Sequence, residues 1–557
     1  MKIRFFIITA ASALLLAACG GEDPEPAPAP GPDPGPTPPA VEEEVRIDPS
    51  ALYNGIVLPA QWPMRRNAKT DIRKGMDPFY LSDKPAVIYA TAGRQLFVDN
   101  FLIKNTSLRR VYHYPEIAAT PVMVPDREWE VSANGKSRFA APFSDGVWYD
   151  EADGKFKMWY MGATDVTCYA ESSDGISWTK PSLDVVSGTN IIRRGTTRDA
   201  VSIWLDKEGT GERYRMFEVS GGAGNWRYKY LTSADGIHWR DRQAESEKVA
   251  DRSTVYYSPF RKVWVWSMRH NVRVNSSDPY TVRARDYMEN SDPVAGNKRA
   301  QAHLDYFWFG PWPNERRWEQ NIDNDGAPGI YNQDAMPYES VMLGFFSVWQ
   351  GPENDVCNRL NMVKRNQIML GYSRDGGYSW QRDDMAPFIP IADNTYYAGN
   401  LQSALGSPVI VGDKLYFYFS ARRMEGKTEV TTTGLATLRR DGFASMSGDG
   451  SLTTEKLLLS GSTLWVNARI GGSLKVEVLN SKGEVLDRFT TTLTATDGCR
   501  IKVTDGLEDA VRNKAVSLRF TMQDGDLYSF WVGDAEGHSN GYTAGGGPGL
   551  SPSGIDK

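Results

Sequence analysis

Cysteine, histidine and long apolar runs are scarce in this chain, and each scarcity removes a class of answers. The four cysteines, Cys19, Cys168, Cys357 and Cys499, are too far apart for a disulfide framework or a zinc pattern. The five histidines, His113, His238, His270, His303 and His538, are scattered, which argues against a histidine-built metal site. Basic charge is not in excess: the 557 residues carry a formal net charge of −6, with a pI near 5.6. No nucleic-acid partner is expected from that balance. A structural Ca²⁺ among clustered carboxylates would be reasonable chemistry. No loop carries a calcium pattern, however, so neither a metal ligand nor a cofactor is assigned.

The one long apolar run is N-terminal. Residues 1–19 read MKIRFFIITAASALLLAAC. Two positive charges precede an apolar stretch too short to span a bilayer, which is the pattern of a secretory signal. Leu16-Ala17-Ala18-Cys19 resembles a bacterial lipobox. That resemblance implies a signal peptide of residues 1–18, removed by cleavage before Cys19, and lipidation of the Cys19 thiol. Residues 19–45 then form a tether. Proline at nearly alternate positions in GGEDPEPAPAPGPDPGPTPPA excludes helix and sheet and favours a stiff spacer. A location on the bacterial cell envelope is expected, at the outer membrane or the cell surface.

What the chain has in quantity is aromatic residues, with 17 Trp, 26 Tyr and 21 Phe, and a recurring motif. SSDGISW (172–178) returns as SADGIHW (233–239) and as SRDGGYSW (373–380). Before each lies a strand–turn–strand pattern, as in DGVWYDEADGKFKMWYMG (145–162). Two further hairpins, at 251–270 and 407–423, complete five units with a period of about 60–70 residues. In the fifth, Asp441-Gly442-Phe443 stands where the motif is expected. The period is too long for a helical solenoid and fits propeller blades of four antiparallel strands. The motif resembles the Asp-box, whose full S-x-D-x-G-x-x-W form occurs at Ser373–Trp380. It marks fold: Asp caps turn N–H groups, Gly takes a left-handed conformation and Trp packs between sheets.

The expected fold is all-β, a five-bladed β-propeller over 94–448 followed by a small β-sandwich over 449–535. Residues 46–93 form an N-terminal extension, and 536–557 a Gly-rich tail with Tyr542 as a candidate anchor. The strand in RQLFVDNFLI (94–103) is the candidate for closing the ring.

In a propeller, a site gathers residues from the starts of the inner strands and from the loops after the second strands. Four inner strands open with an acid: Asp145, Asp199, Asp251 and Asp334. Their registers agree or differ by two residues, so all four are expected on the same strand face, toward the axis. Clustered carboxylates push one another's acidities apart, leaving one ionised and another protonated. Glycosidic hydrolysis uses such a pair. Arg198 and Arg252 adjoin two of these acids, either to hold one ionised or to bind an acidic sugar. The second-strand loops add Asp165, Glu218, Arg269 with His270, Trp349 with Glu353, and Arg422 with Arg423. Glu339 is a further acid, ranked below Asp334 because it falls at the far turn.

The five blades and sandwich resemble glycoside hydrolase family 32, whose propeller is shared with families 43 and 68. The resemblance implies carboxylates at the starts of inner strands one, two and three. TRDAVSIWLD resembles the second element, which implies that Asp199 stabilises the transition state. Asp251 stands where the general acid, normally Glu, is expected. The nucleophile or base position falls near Phe143, and Asp145, two residues on, is the acid expected to substitute. Two readings are open: a membrane-anchored glycoside hydrolase acting on a poly- or oligosaccharide, or a non-catalytic surface lipoprotein that binds glycans. A sialidase would require six blades, and a lyase would draw on His270 beside Arg269.

Overall fold

The computed structural model describes residues 44–277, 281–302, 306–316 and 328–557. The signal segment, Cys19 and most of the tether lie outside the described residues. The described chain is nearly all β and builds a five-bladed propeller joined to a β-sandwich.

Blade 1 comprises Ala141–Asp150, Lys155–Ala163, Val166–Ser172 and Ile191–Arg194. Its first hairpin turns where the sequence places Asp and Gly. Asp150 accepts the N–H groups of Asp153 and Gly154 on its carbonyl, and Gly154 has a φ of +65°. Blade 2 begins with Arg198–Leu205, blade 3 with Thr254–Ser258, blade 4 with Gly329–Glu339 and blade 5 with Gly399–Ser403. These five inner strands close a ring. Arg198 bonds Asp145, the Val255 N–H donates to Ser202 at 3.0 Å, and Thr254 donates to the Gln333 carbonyl. Ser403 donates to Asp334 at 2.5 Å, and the Val147 N–H reaches the Leu405 carbonyl at 2.8 Å.

Strands such as Ala141–Asp150 and Val341–Trp349 are buried along their whole length. Neighbouring blades cover both faces, so Val341–Trp349 reads as a nearly continuous apolar run, while the polar groups of Ala141–Asp150 are buried with partners from other blades. Aromatic rings fill the wedges between blades: Trp148 meets Trp204 at 5.1 Å, and Phe217 meets Trp266 at 5.9 Å.

The three Asp-boxes lie in the hairpins after the third strands of blades 1, 2 and 4. Asp174 accepts the N–H groups of Ile176 and Ser177 at 2.8 and 2.7 Å. Gly175, Gly236 and Gly376 all have positive φ, and Trp380 is fully buried. The fifth unit differs. Asp441 accepts bonds from Tyr338, Ser529, Asn467 and Arg94, and so ties the propeller to the sandwich.

The ring is closed by a strand other than 94–103. Glu116–Ile117 pairs with the third strand of blade 5, Thr428–Arg439, as its outer neighbour. Gln95–Leu96 pairs instead with Ala515–Gly533 of the sandwich, and Phe97 and Phe101 enter the sandwich core beside Phe520 and Phe530. An apolar alternating stretch suits either sheet, and the two large rings find their volume in the sandwich. The sandwich therefore draws on both ends of the chain, from Ile88–Ala90 through Arg109–Tyr112 and from Ala444–Ser447 through Ala515–Gly533. Asp99 of the same segment pairs with buried Arg374 of the third Asp-box at 2.8 Å.

Residues 536–557 cross the base of the propeller. Tyr542–Thr543 pairs with the end of the blade 4 inner strand, and the Tyr542 ring meets Phe260 of blade 3 at 4.8 Å. The Gly545 carbonyl accepts from the Tyr149 N–H of blade 1, and the Gly546 carbonyl from the Ile410 N–H of blade 5. A Cβ on Gly547 would lie 1.8 Å from the Ile410 oxygen, so the glycines here permit backbone to lie on backbone.

The box N–H groups hold the Asp174 carboxyl down to about 2. A folded-state value below the unfolded one contributes stability above the unfolded pKa of about 3.9, and that contribution fades as pH falls toward 2. Asp174→Asn is therefore expected to be less stable than the wild type at pH 6. The difference should shrink below pH 4 and disappear only as the pH falls through and below about 2, as read by urea unfolding at each pH.

Candidate active site at the mouth of the propeller

The inner-strand starts meet at one end of the ring, and Arg252 crosses it. Arg252 precedes the blade 3 inner strand with a φ of +54°. Its backbone N–H and its Nε both donate to Asp199 Oδ1 of blade 2 at 2.7 Å. Its guanidinium also donates to Gln402 of blade 5 and lies 5.7 Å over the Phe143 ring of blade 1. Buried Arg285 donates to its carbonyl at 2.9 Å.

This arrangement sets two acidities in opposite directions. Asp199 has a side chain 24% exposed, and all its bonds, including one from the Ala200 N–H at 2.8 Å, fall on Oδ1. Burial works against its charge, but the Arg252 cation and these donors outweigh burial and hold the carboxyl below the ordinary range. Asp251, 30% exposed, pairs with Arg269 at 2.5 Å. Burial and the charge of Asp199 push its carboxyl up, more than Arg269, Arg252 and Lys364 pull it down. The mouth thus holds one carboxylate that stays ionised and one that keeps its proton longer.

Asp145 and Asp334 lie one tier deeper and are fully buried. Arg198 grips both oxygens of Asp145 at 2.6 Å in a fork. Asp334 Oδ2 accepts from Ser144, Asn332 and Ser403, and burial pushes its carboxyl up to about 6. The expectation of four equivalent axial acids is corrected to two at the mouth and two in the wall. The cause is depth along the strand: the two-residue offset that keeps the four on one face also sets Asp145 and Asp334 further in than Asp199 and Asp251. The position where a first-blade acid is implied is occupied by Phe143, itself buried.

Of the candidate binding residues, Arg269 and Arg252 reach the mouth. Arg422 is 20% exposed, pairs with Glu429 and lies 5.2 Å over Phe143. His270 pairs with Asp286 at 2.7 Å. Arg198 and Trp349 do not reach it. Arg198 is consumed by Asp145, and Trp349 is buried beneath Arg283, whose guanidinium covers its ring at 4.3 Å. Glu339 lies at the far turn, bound to Arg94, Arg440 and Ser539.

Two residues at the mouth escape a reading of the sequence. Tyr331 begins the blade 4 inner strand, and Lys364 ends the loop after the second strand of that blade. Lys364 Nζ lies 3.5 Å from the Tyr331 hydroxyl and 5.1 Å from its ring centre. Burial opposes ionisation of Tyr331, but the Lys364 and Arg252 charges outweigh it and bring the phenol below its ordinary value. A search of strand starts for acids alone passes over both residues. Among the described residues, no three His, Cys, Asp or Glu side chains gather as a metal cage.

No family model matches the chain, and no curated protein matches it. Among solved structures, it is similar to an exo-β-1,3-galactanase from Phanerochaete chrysosporium with galactose. That match has 10% identity, covers 73% of this chain and 99% of the other, and has a TM-score of 0.31. It is also similar to a GH32 β-fructofuranosidase from Bombyx mori, at 10% identity over 74% of this chain and 94% of that one, with a TM-score of 0.35. A third is a putative glycoside hydrolase from Bacteroides ovatus, at 13% identity over 61% and 98%, with a TM-score of 0.31. No site residue is carried over from these similarities.

The two tiers should separate in mutation. Asp145→Asn strips a buried guanidinium of its counter-charge and is expected to cost about 3–5 kcal/mol of stability. Asp251→Asn, whose partner Arg269 is partly exposed, should unfold close to the wild type, and Asp199→Asn should fall between the two because it removes the carboxylate of buried Arg252. Chemical denaturation of the three variants reads the difference.

Proposed function

We propose that the protein is a glycoside hydrolase acting on a poly- or oligosaccharide, with Asp199 and Asp251 as its working carboxylates. The observation that carries this reading is the pair itself. Two acids at the mouth differ in acidity: Arg252 holds Asp199 ionised, while burial and the charge of Asp199 keep the proton on Asp251 longer. Asp251 donates its proton to the leaving glycosidic oxygen. Asp199 balances the positive charge that develops at the anomeric carbon and, through its free Oδ2, takes the proton of the attacking water. Gln402 and Phe143 hold the Arg252 guanidinium in place, so the site is preorganised rather than assembled by substrate.

The test is a hydrolysis screen of tether-free protein on polysaccharides and aryl glycosides, furanosides included, beside Asp199→Asn and Asp251→Asn. Turnover is expected to fall by about 10²–10⁴-fold in each variant with folding intact. Activity should require ionised Asp199 and protonated Asp251. The acid limb of the rate profile should therefore lie below pH 3.8 and the alkaline limb above it. Arg269→Met removes a cation that lowers Asp251 and should move the alkaline limb upward. Retention on a glycan array without turnover on any substrate would replace this reading with that of a glycan-binding lipoprotein.

We also propose that the protein is exported and held at the bacterial envelope through lipidated Cys19, with the proline-rich stretch as a spacer. The support is the tetrapeptide Leu16-Ala17-Ala18-Cys19 and the run of alternating prolines on its C-terminal side. Cys19→Ser is expected to move the protein from the membrane fraction to the soluble fraction on cell fractionation. An unchanged membrane fraction would count against the anchor.

A further inference from the structure

We propose that the glycan taken by this mouth is anionic, and that Lys364 together with Tyr331 receives its carboxylate or sulfate group. The proposal rests on the reading of the mouth as a glycan site and adds the substrate class.

The argument begins with a charge count. Five cations face the mouth: Arg252, Arg269, Arg283, Lys364 and Arg422. Four are matched by carboxylates, Arg252 by Asp199, Arg269 by Asp251, Arg283 by Glu353 and Arg422 by Glu429. Lys364 has no carboxylate partner among the described residues; its one side-chain hydrogen bond is with Tyr331. Lys364 is thus the one of these five cations without a paired carboxylate. An unmatched cation on a chain of formal net charge −6 attracts an anion locally while the rest of the surface repels it.

Lys364 is also held where such a group would be useful. Its carbonyl accepts the Asn400 N–H of the blade 5 inner strand at 2.7 Å, and the next residue, Arg365, donates its N–H to the Gly351 carbonyl at 2.9 Å. The backbone is thus fixed on two sides, and the side chain lies along the Tyr331 ring at the rim. Its charge is felt by Tyr331 and by Asp251, so an anion bound there sits beside the reacting carboxylates. The Tyr331 hydroxyl, more acidic than an ordinary phenol, is a strengthened donor. With Nζ 3.5 Å away, the two groups can share the oxygens of one carboxylate or sulfate. A neutral sugar would leave the Lys364 charge unmatched in this half-buried position.

The experiment is a glycan array of uronate-containing oligosaccharides with their carboxyl-reduced counterparts, and sulfated oligosaccharides with their desulfated counterparts. The retained members are then titrated against the wild type, Lys364→Met, Lys364→Arg and Tyr331→Phe. The wild type is expected to prefer one anionic class over its neutral counterpart by about tenfold to a hundredfold, the range of a charge-assisted hydrogen bond. Lys364→Met should abolish the preference. Lys364→Arg should keep most of the preference, and Tyr331→Phe should reduce it in part. The favoured arm identifies carboxylate or sulfate. Equal binding of anionic and neutral members, or a preference that survives Lys364→Met, overturns the inference and leaves the hydrolase reading standing. Absence of binding to every member, charged or neutral, overturns both.

Discussion

The Arg252 guanidinium lying across the channel is the constraint on which the site depends. It reaches from blade 3 to Asp199 of blade 2 and Gln402 of blade 5, and covers Phe143 of blade 1. A lysine would not replace it. An ammonium is a point charge, whereas the bonds to Asp199 and Gln402 use separate nitrogens of a planar fork. The positive φ of Arg252 belongs to the same device, because it lets the backbone N–H and the side chain converge on one oxygen. That cation accounts for one of the two acids: Asp199 stays charged because Arg252 holds it, whereas Asp251 resists ionisation because it is buried and lies near the charge of Asp199.

Depth along the inner strands decides what each aspartate does. Asp145 and Asp334 carry the same functional group as Asp199 and Asp251 but lie where water does not reach. There Arg198 of blade 2 grips both oxygens of Asp145, and Asp334 Oδ2 accepts from Ser144 of blade 1, Ser403 of blade 5 and Asn332 of its own strand. These acids clamp blade to blade. The mouth aspartates keep an unbonded oxygen or a single ion pair, which leaves them available for chemistry.

The blades are legible in the sequence because the Asp-box ties a fixed spacing to a fixed turn. Ser, Asp, Gly and Trp are each required by the hairpin after a third strand, so the repeat announces the fold. The rule that a site gathers at strand starts and second-strand loops points to the end of the ring that Arg252 crosses. What it does not supply is partners. Arg198 reads like Arg252 in the sequence, yet one is spent on a buried acid and the other spans the channel. Trp349 reads as a stacking platform until Arg283 is found covering it. Lys364 and Tyr331 sit 33 residues apart and mean nothing singly. The closing strand is not legible either: 94–103 reads as a strand, but it faces both cores, Phe97 and Phe101 toward the sandwich and Leu96 and Val98 toward blades 4 and 5, and pairs with Ala515–Gly533.

The departures from the repeat explain how the remaining chain is used. Asp441 sits at the position of a fifth Asp-box without its Ser and Trp. Released from that turn, it accepts Arg94, Tyr338, Asn467 and Ser529 and joins the propeller to the sandwich. Arg374 of the third box does the same through Asp99. Both contacts lie on the box face, opposite the mouth, so the sandwich stiffens the ring without covering the site. The glycine-rich C-terminal segment completes the asymmetry by touching blades 1, 3, 4 and 5 across the base. Arg252 crosses the ring at the other end, beside Asp199, Asp251, Tyr331 and Lys364, and on the proposed reading charge at that rim selects what reaches the two acids.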